Sequence, residues 1–178
     1  MDTVVLVIAG TGYHPKEYKQ TKHALEEEDI NVLTASDITP TAIAEDDTRT
    51  SVDMSLSEVD MTKYDGVFFL GGVGAEKYLN NSLCYNLAVS AKKENKLYGS
   101  MQVSTRILAR AGVLEGEQAT GWDEDGRLGD ILEQNNAKYI EEDPVAVSGD
   151  VITAVDSDSA LPFARAITER LKEKREVQ

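Results

Sequence analysis

The chain has 178 residues, enough for one domain with a complete hydrophobic core, and we expect a single domain over residues 1–178. Hydrophobic residues make up 41% and charged residues 28%, which is a globular rather than a disordered mixture. The net charge of −14 argues against nucleic acids and anionic membranes as partners, because binding to phosphates depends mainly on Lys and Arg.

The first third of the chain is predicted to form a βαβ unit. Val4–Ala9 is a continuous, β-branched run, typical of a strand buried on both faces of a parallel sheet. A glycine-containing loop separates it from a helix over Pro15–Glu28, whose proline suits the first helical turn. Asn31–Ala35 is the second strand, and the polar residues 36–62 predict a small hairpin or an extended excursion.

The remaining elements continue this alternation. Strands at Val67–Leu70 and Leu97–Met101 are each followed by a helix, over about Glu76–Glu94 and Ser104–Ala111. Later elements are a strand near Gln118–Gly121, a helix near Arg127–Asn135, a hairpin from Pro144–Val147 to Val151–Ala154, and a last helix at Ala160–Lys174, capped by Ser157 or Asp158. The pattern predicts an α/β fold with a doubly wound, mostly parallel sheet flanked by helices, flavodoxin-like, which binds ligands at the carboxyl ends of its strands.

Four segments carry further motifs, in a fixed order along the chain. They are a strand and Gly-Gly loop at Lys63–Gly72, a strand at Leu97–Gln102, an Ala-Gly-Val-Leu stretch at Ala111–Gly116 with Ala119–Trp122, and a hairpin and helix at Val151–Ala154 and Phe163–Leu171. Together they resemble the PfpI / parkinsonism-associated deglycase superfamily, which has a class I glutamine-amidotransferase-like fold. Members of that superfamily commonly dimerise, so the resemblance implies a homodimer.

The resemblance also implies where the catalytic residue should be. In that family a cysteine on a tight strand-to-helix elbow attacks a carbonyl, and counting back from Ala111 places Gln102 on the elbow. An amide is not a nucleophile, so we expect the family's cysteine hydrolase, deglycase and glyoxalase chemistry to be absent. The only cysteine, Cys84, lies in the helix after the Gly-Gly loop and is interpreted as a small buried hydrophobe. If the elbow assignment is correct, the backbone of Gln102 should be strained.

Other site residues are also carried over from the resemblance. Glu17 falls where the family has the glutamate that hydrogen-bonds its cysteine; it is expected to accept from the Gln102 amide, or else to be a solvated residue in the first turn of a helix. The backbone N–H groups of Gly72, Val73 and Val103 correspond to the family's oxyanion hole, unless the glycines serve only to turn the chain.

Two side chains are candidates on position alone. His14 precedes the first helix on the ligand side of the sheet and is either the only imidazole near the pocket or merely exposed, whereas His23 is expected at the surface or at an interface. Trp122 is expected to form a wall of the pocket or to pack under a loop.

The sequence leaves three functions open. The first is binding of a small carbonyl-, amide- or carboxylate-containing ligand at Glu17, Gly72, Val73, Gln102, Val103 and Trp122. The second is an enzyme that uses Glu17, with His14, for general acid–base chemistry. The third is a structural homo-oligomer with a relic pocket. No cofactor or metal is predicted, since Gly10-Thr11-Gly12 lacks the third glycine of a dinucleotide loop and no metal-ligand spacing is present. With no membrane-length apolar run and no secretory signal, the cytoplasm is the expected location.

Overall fold

A computed structural model describes residues 1–178 as twelve strands and six helices. In chain order the strands are β1 (Thr3–Ile8), β2 (Thr11–Tyr13), β3 (Asn31–Ser36), β4 (Thr41–Ala44), β5 (Arg49–Ser51), β6 (Met54–Ser55), β7 (Gly66–Phe69), β8 (Leu97–Met101), β9 (Gln118–Ala119), β10 (Lys138–Tyr139), β11 (Val145–Ser148) and β12 (Val151–Ala154). The helices are α1 (Pro15–Glu27), α2 (Ala75–Leu79), α3 (Ser82–Lys93), α4 (Thr105–Arg110), α5 (Leu128–Gln134) and α6 (Ala160–Val177).

Seven strands form the central sheet, in the order β11-β12-β8-β7-β1-β3-β6. All neighbours are parallel except the edge strand β11, which pairs antiparallel with β12. The chain runs outward from β1 to β3 and then returns to β7 on the other side of β1. The winding direction therefore reverses between β1 and β7, which is where a sheet of this kind binds its ligands. The predicted flavodoxin-like α/β fold is confirmed.

Helices cover both faces of this sheet, as right-handed crossovers require. α1 and α6 pack against each other on one face, and α3 and α4 pack together on the other. The core is continuous through the sheet: β1 is almost fully buried, and Phe68 of β7 meets Phe163 of α6 edge to face at 5.7 Å. None of the helices combines the length and the apolarity that crossing a bilayer requires.

The polar excursion predicted for residues 36–62 contains a hairpin. Strands β4 and β5 pair antiparallel, and β4 also pairs with β2 to form a small separate sheet beside the main one. The loop between β4 and β5 carries Glu45, whose backbone N–H donates to the carbonyl of Tyr13 at 3.0 Å. This hairpin therefore lies beside the loop that precedes α1.

Two local predictions were wrong. The helix predicted over about Glu76–Glu94 is two helices, because Asn81 adopts extended backbone and its side chain accepts from the backbone N–H of Cys84, which starts α3. The last helix is not capped by Ser157 or Asp158. Asp156 instead accepts from the N–H of Asp158 and begins a short 3₁₀ turn that leads into α6.

Candidate functional site

The segments that follow β2, β7, β8 and β9 meet at the carboxyl edge of the central sheet, close to the reversal point. The loop after β2 contributes His14, whose backbone N–H donates to Gly71 O, after β7, at 3.0 Å. The segment after β8 contributes Gln102, whose backbone carbonyl accepts from the N–H of Trp122 at 3.1 Å. The residues that the sequence singled out therefore come from different strands and are joined through their backbones.

Gln102 occupies a sharp turn between β8 and the next helix. Its φ angle is +60°, in the left-handed region, whereas Met101 before it is extended and a 3₁₀ turn follows. A non-glycine residue in this region costs about 1–2 kcal/mol. The predicted strained elbow at Gln102 is therefore confirmed.

The side chain of Gln102 points back to the loop after β7. Its Oε1 accepts a hydrogen bond from the backbone N–H of Gly72 at 2.6 Å. Space for it exists only because residue 71 is glycine: a Cβ atom there would lie 2.2 Å from Gln102 Oε1. The expected hydrogen bond from the Gln102 amide to Glu17 is not formed, so that expectation was wrong in its geometry.

Glu17 is completely buried at the start of α1, which excludes the alternative of a solvated glutamate. Neither of its carboxyl oxygens has a hydrogen-bond partner of normal geometry. Burial raises the pKa of Glu17 to about 8; the nearby carboxylates of Glu45 and Asp156 add to the rise, and the Gly71 backbone amide offsets part of it. Glu17 is thus mostly protonated at neutral pH.

His14 is the N-cap residue of α1. Its Nδ1 accepts from the backbone N–H of Glu17 at 3.4 Å and lies 3.8 Å from Glu17 Oε2. The Nδ1 lone pair therefore caps the first turn of α1, and this role of His14 is structural. His23 is exposed at the surface, as expected.

A cleft of about 340 Å³ opens in front of Gln102. Five of the predicted binding residues line it, namely Gly72, Val73, Gln102, Val103 and Trp122, together with Glu45 and Glu76. Glu17 and His14, the two catalytic candidates, do not line it. The open cleft in front of Gln102 and the buried carboxyl group of Glu17 are therefore separate.

Glu45 is a residue of this cleft that sequence reasoning missed. Its Oε1 accepts a hydrogen bond from the backbone N–H of Val73 at 2.7 Å. The two adjacent amides that correspond to an oxyanion hole are consequently both satisfied from within the chain, Gly72 by an amide oxygen and Val73 by a carboxylate oxygen. The acidic run at residues 45–47 was visible in the sequence, but nothing there indicated that it reaches the Gly-Gly loop.

Trp122 is held against the cleft by a second residue that sequence reasoning missed. The guanidinium of Arg106 lies 5.0 Å from the centre of the indole ring. Arg106 is only 4% exposed and makes a bidentate ion pair with Asp125, at 2.9 and 2.6 Å. The hydrogen bonds from Arg106 lower the pKa of Asp125 to about 2. The position of Trp122 thus depends on a partly buried ion pair.

The pattern that defines the DJ-1/PfpI family matches residues 3–170 of the chain. The chain belongs to the DJ-1/PfpI family. The resemblance read from the sequence motifs is thereby confirmed.

Proteins similar to this one match it over nearly its whole length. The Drosophila melanogaster protein dj-1beta is 28% identical over 180 residues, covering 100% of this chain and 94% of its own. An uncharacterized protein of Methanocaldococcus jannaschii is 26% identical over 174 residues, covering 97% of this chain and 84% of its own. The crystal structure of a ThiJ/PfpI domain protein from Brachyspira murdochii superimposes with a TM-score of 0.89 at 27% identity, covering 96% of each chain.

The one cysteine of this DJ-1/PfpI family member lies away from the cleft. Cys84 is fully buried in the first turn of α3, and burial raises the pKa of its thiol to about 12. Its interpretation as a small buried hydrophobe is confirmed. The cleft itself is lined by an amide group, two carboxylates and an aromatic wall, and its lining residues include no thiol, hydroxyl or imidazole.

Proposed function

We propose that this DJ-1/PfpI family member is a non-catalytic or divergent protein that binds a small carbonyl- or carboxylate-containing ligand in the cleft before Gln102. The observation that carries the proposal is the conformation of Gln102. The residue keeps a strained left-handed backbone, yet its side chain is an amide whose oxygen is held on Gly72 N–H. An amide in this position can orient a ligand but cannot attack a carbonyl.

The shape and lining of the cleft support a ligand of small size. Its volume of about 340 Å³ falls at the lower end of typical ligand sites. Val73 and Val103 supply apolar surface and Trp122 an aromatic wall, while the polar side chains are those of Gln102, Glu45 and Glu76. Sites for small ligands usually combine a few polar groups with a mostly apolar wall.

A thermal-shift screen of small carbonyl and carboxylate compounds tests this proposal. A ligand should raise the melting temperature of the parent and of Glu115→Gln, a control at an exposed position. It should have no effect on Gln102→Ala, and the compound should be recovered unchanged. If no compound stabilises the parent, or if Gln102→Ala binds as well as the parent does, the cleft is not the ligand site.

A second candidate function is an enzyme that uses Glu17 as a general acid. The raised pKa of Glu17, about 8, favours it, because such a group holds a proton near neutral pH and can release it. Its complete burial opposes it, since the cleft has no access to the carboxyl group. Conversion of a bound compound to product that is abolished in Glu17→Gln would establish this second function and reject the first.

We also propose that the protein assembles as a homodimer, as its resemblance to commonly dimeric proteins implies. If the screen finds no ligand, a structural homo-oligomer with a relic pocket becomes the favoured function. Light scattering coupled to size-exclusion chromatography measures the mass directly. A mass equal to that of one chain across the accessible concentration range would reject the dimer.

A further inference from the structure

The two backbone amides at the back of the cleft differ in how firmly they are occupied. The N–H of Gly72 is covered by Gln102, whose side chain lies against Gly71. The N–H of Val73 is covered by Glu45, and both of these residues are exposed; Val73 is 80% exposed. The Gly72 amide is therefore part of the folded core of the site, whereas the Val73 amide is occupied by a surface side chain.

The backbone that carries Glu45 is fixed, so only its side chain has to move to free the amide. Glu45 N–H donates to Tyr13 O at 3.0 Å, and Ala44 N–H donates to Thr48 O at 2.8 Å, which closes the loop between β4 and β5. Rotation of an exposed side chain takes picoseconds to nanoseconds. Release of the Val73 amide therefore needs no rearrangement of the hairpin.

The contact itself indicates what this position accepts. A carboxylate oxygen lies 2.7 Å from Val73 N, the normal length of a charge-assisted hydrogen bond. The surroundings do not otherwise favour a negative charge there: Glu76 lines the same cleft, and no Lys or Arg does. The Glu45 carboxylate is therefore held by its hydrogen bond to Val73 N–H and not by nearby positive charge.

We infer that Glu45 is an internal competitor, whose carboxylate occupies the subsite for the carboxylate of a small monocarboxylate ligand. This inference rests on the proposed function, because it concerns the same cleft and narrows its ligand class. Binding exchanges one carboxylate for another at Val73 N–H and returns Glu45 to solvent. A neutral carbonyl displaces Glu45 less well, since hydrogen bonds to a charged acceptor are roughly twice as strong as those to a neutral one. Removing Glu45 therefore strengthens carboxylate binding.

Acetate is the probe, and the amide resonance of Val73 in ¹⁵N-labelled protein is the readout. The variants are the parent, Glu45→Ala and Glu58→Ala. Glu58 is a matched control because its carboxylate also accepts from a backbone N–H at 2.7 Å, that of Ser55, and it does not line the cleft. Both substitutions remove one negative charge, so the net charge is the same in the two variants. Sodium chloride at equal ionic strength controls for salt, and acetamide serves as the neutral probe.

In Glu45→Ala, acetate should shift the Val73 resonance saturably, with a Kd at least tenfold lower than in the parent or in Glu58→Ala. Acetamide should bind Glu45→Ala more weakly than acetate does. Equal acetate affinities in the three proteins would overturn the inference, as would the absence of saturable binding to Glu45→Ala.

Failure of this inference is distinguishable from failure of the proposed function. Suppose that Glu45→Ala binds acetate at Val73 but no compound stabilises the parent in the thermal-shift screen. The role of Glu45 as a competitor is then supported, and the proposed function is rejected. If a screened ligand binds the parent and Glu45→Ala equally and fails to bind Gln102→Ala, the proposed function stands and the competitor is rejected.

Discussion

Gln102 Oε1 accepts a hydrogen bond from the backbone N–H of Gly72, and this bond ties the turn after β8 to the loop after β7. The bond is possible because Gly71 leaves room for the Gln102 side chain. The three nearest atoms to a Cβ added at Gly71 all belong to Gln102, at 2.2, 2.6 and 3.0 Å. Residues 71 and 102 therefore constrain each other sterically.

Gly71→Ala should lower the free energy of unfolding by about 1–3 kcal/mol, because the added methyl group overlaps Gln102. In a Gln102→Gly background the same substitution should cost less by at least about 1 kcal/mol, since the overlapping atoms are gone. Urea unfolding of the four proteins of this cycle measures the coupling. Gly129→Ala, within α5 and with no atom closer than 3.6 Å to the new Cβ, should be neutral or slightly stabilising. Additive effects of the two substitutions would contradict the steric explanation.

Glu17→Gln should change how stability depends on pH. The folded-state pKa of Glu17 is about 8, above its ordinary value of 4.5, so the folded protein retains a proton that the unfolded chain loses. The stability from this group is fully present below about pH 4.5 and is lost as the pH rises through about 8. Relative to Glu17→Gln, the parent should therefore lose on the order of a few kcal/mol between pH 5 and pH 9.

Urea unfolding at several pH values tests the Glu17 prediction. Glu115→Gln, at an exposed position, should follow the parent throughout. A parallel pH dependence for the parent and Glu17→Gln would show that Glu17 ionises normally and is not sealed from water.

Gln102→Cys should create a reactive thiol where the parent has none. Residue 102 lines the cleft, whereas Cys84 is fully buried and its pKa is raised to about 12. In the native variant, iodoacetamide should label the introduced thiol at least tenfold faster than Cys84, as located by peptide mass spectrometry. The parent should show no glyoxalase or deglycase activity above buffer. Rapid labelling of Cys84 in the folded parent would contradict its burial, and activity that is lost in Cys84→Ala would contradict the assignment of the elbow.

Asp125→Asn should loosen the indole ring of Trp122. The substitution removes the charge that pairs with Arg106, so the guanidinium stacked on Trp122 loses its bidentate partner. Trp122 is the only tryptophan, and its fluorescence reports this change without interference. The wavelength of maximum emission should shift, and acrylamide should quench the fluorescence of Trp122 more strongly. Glu124→Gln, at the neighbouring exposed position, should leave both properties unchanged.

The sequence predicted those features that depend on local pattern. The β-branched run at Val4–Ala9 indicated a strand buried on both faces because a parallel sheet covered by helices needs such a strand. Pro15 marked the start of α1, since it fits the first helical turn. The elbow at Gln102 followed from the family resemblance, by counting back from Ala111. The break at Asn81 was missed although Asn80, Asn81 and Ser82 are residue types that favour a helix N-cap over a helix interior.

The contacts that define the cleft were beyond prediction because they join distant segments. Glu45 and Val73 are 28 residues apart, and Arg106 and Asp125 are 19 apart. Glu45 and Val73 meet because two loops pack together, whereas Arg106 and Asp125 meet because a loop packs against α4. A single charged residue gives no local sign of such a partner. The sequence left the environment of Glu17 open, because a glutamate in the first turn of a helix is often solvated. Its complete burial could be learned only from the structure.

Strand β2 and the loop that follows β7 are in direct backbone contact, and glycine makes that contact possible. A Cβ at Gly74 would lie 1.7 Å from the carbonyl oxygen of Thr11, and one at Gly72 would lie 2.3 Å from that of Gly12. Gly74 N–H also donates to Gly12 O at 2.9 Å. Neither segment can therefore be transplanted into another scaffold alone. A redesign of this cleft must carry β2 and the loop after β7 together as one unit, and it must confine its variation to the side chains that project from them.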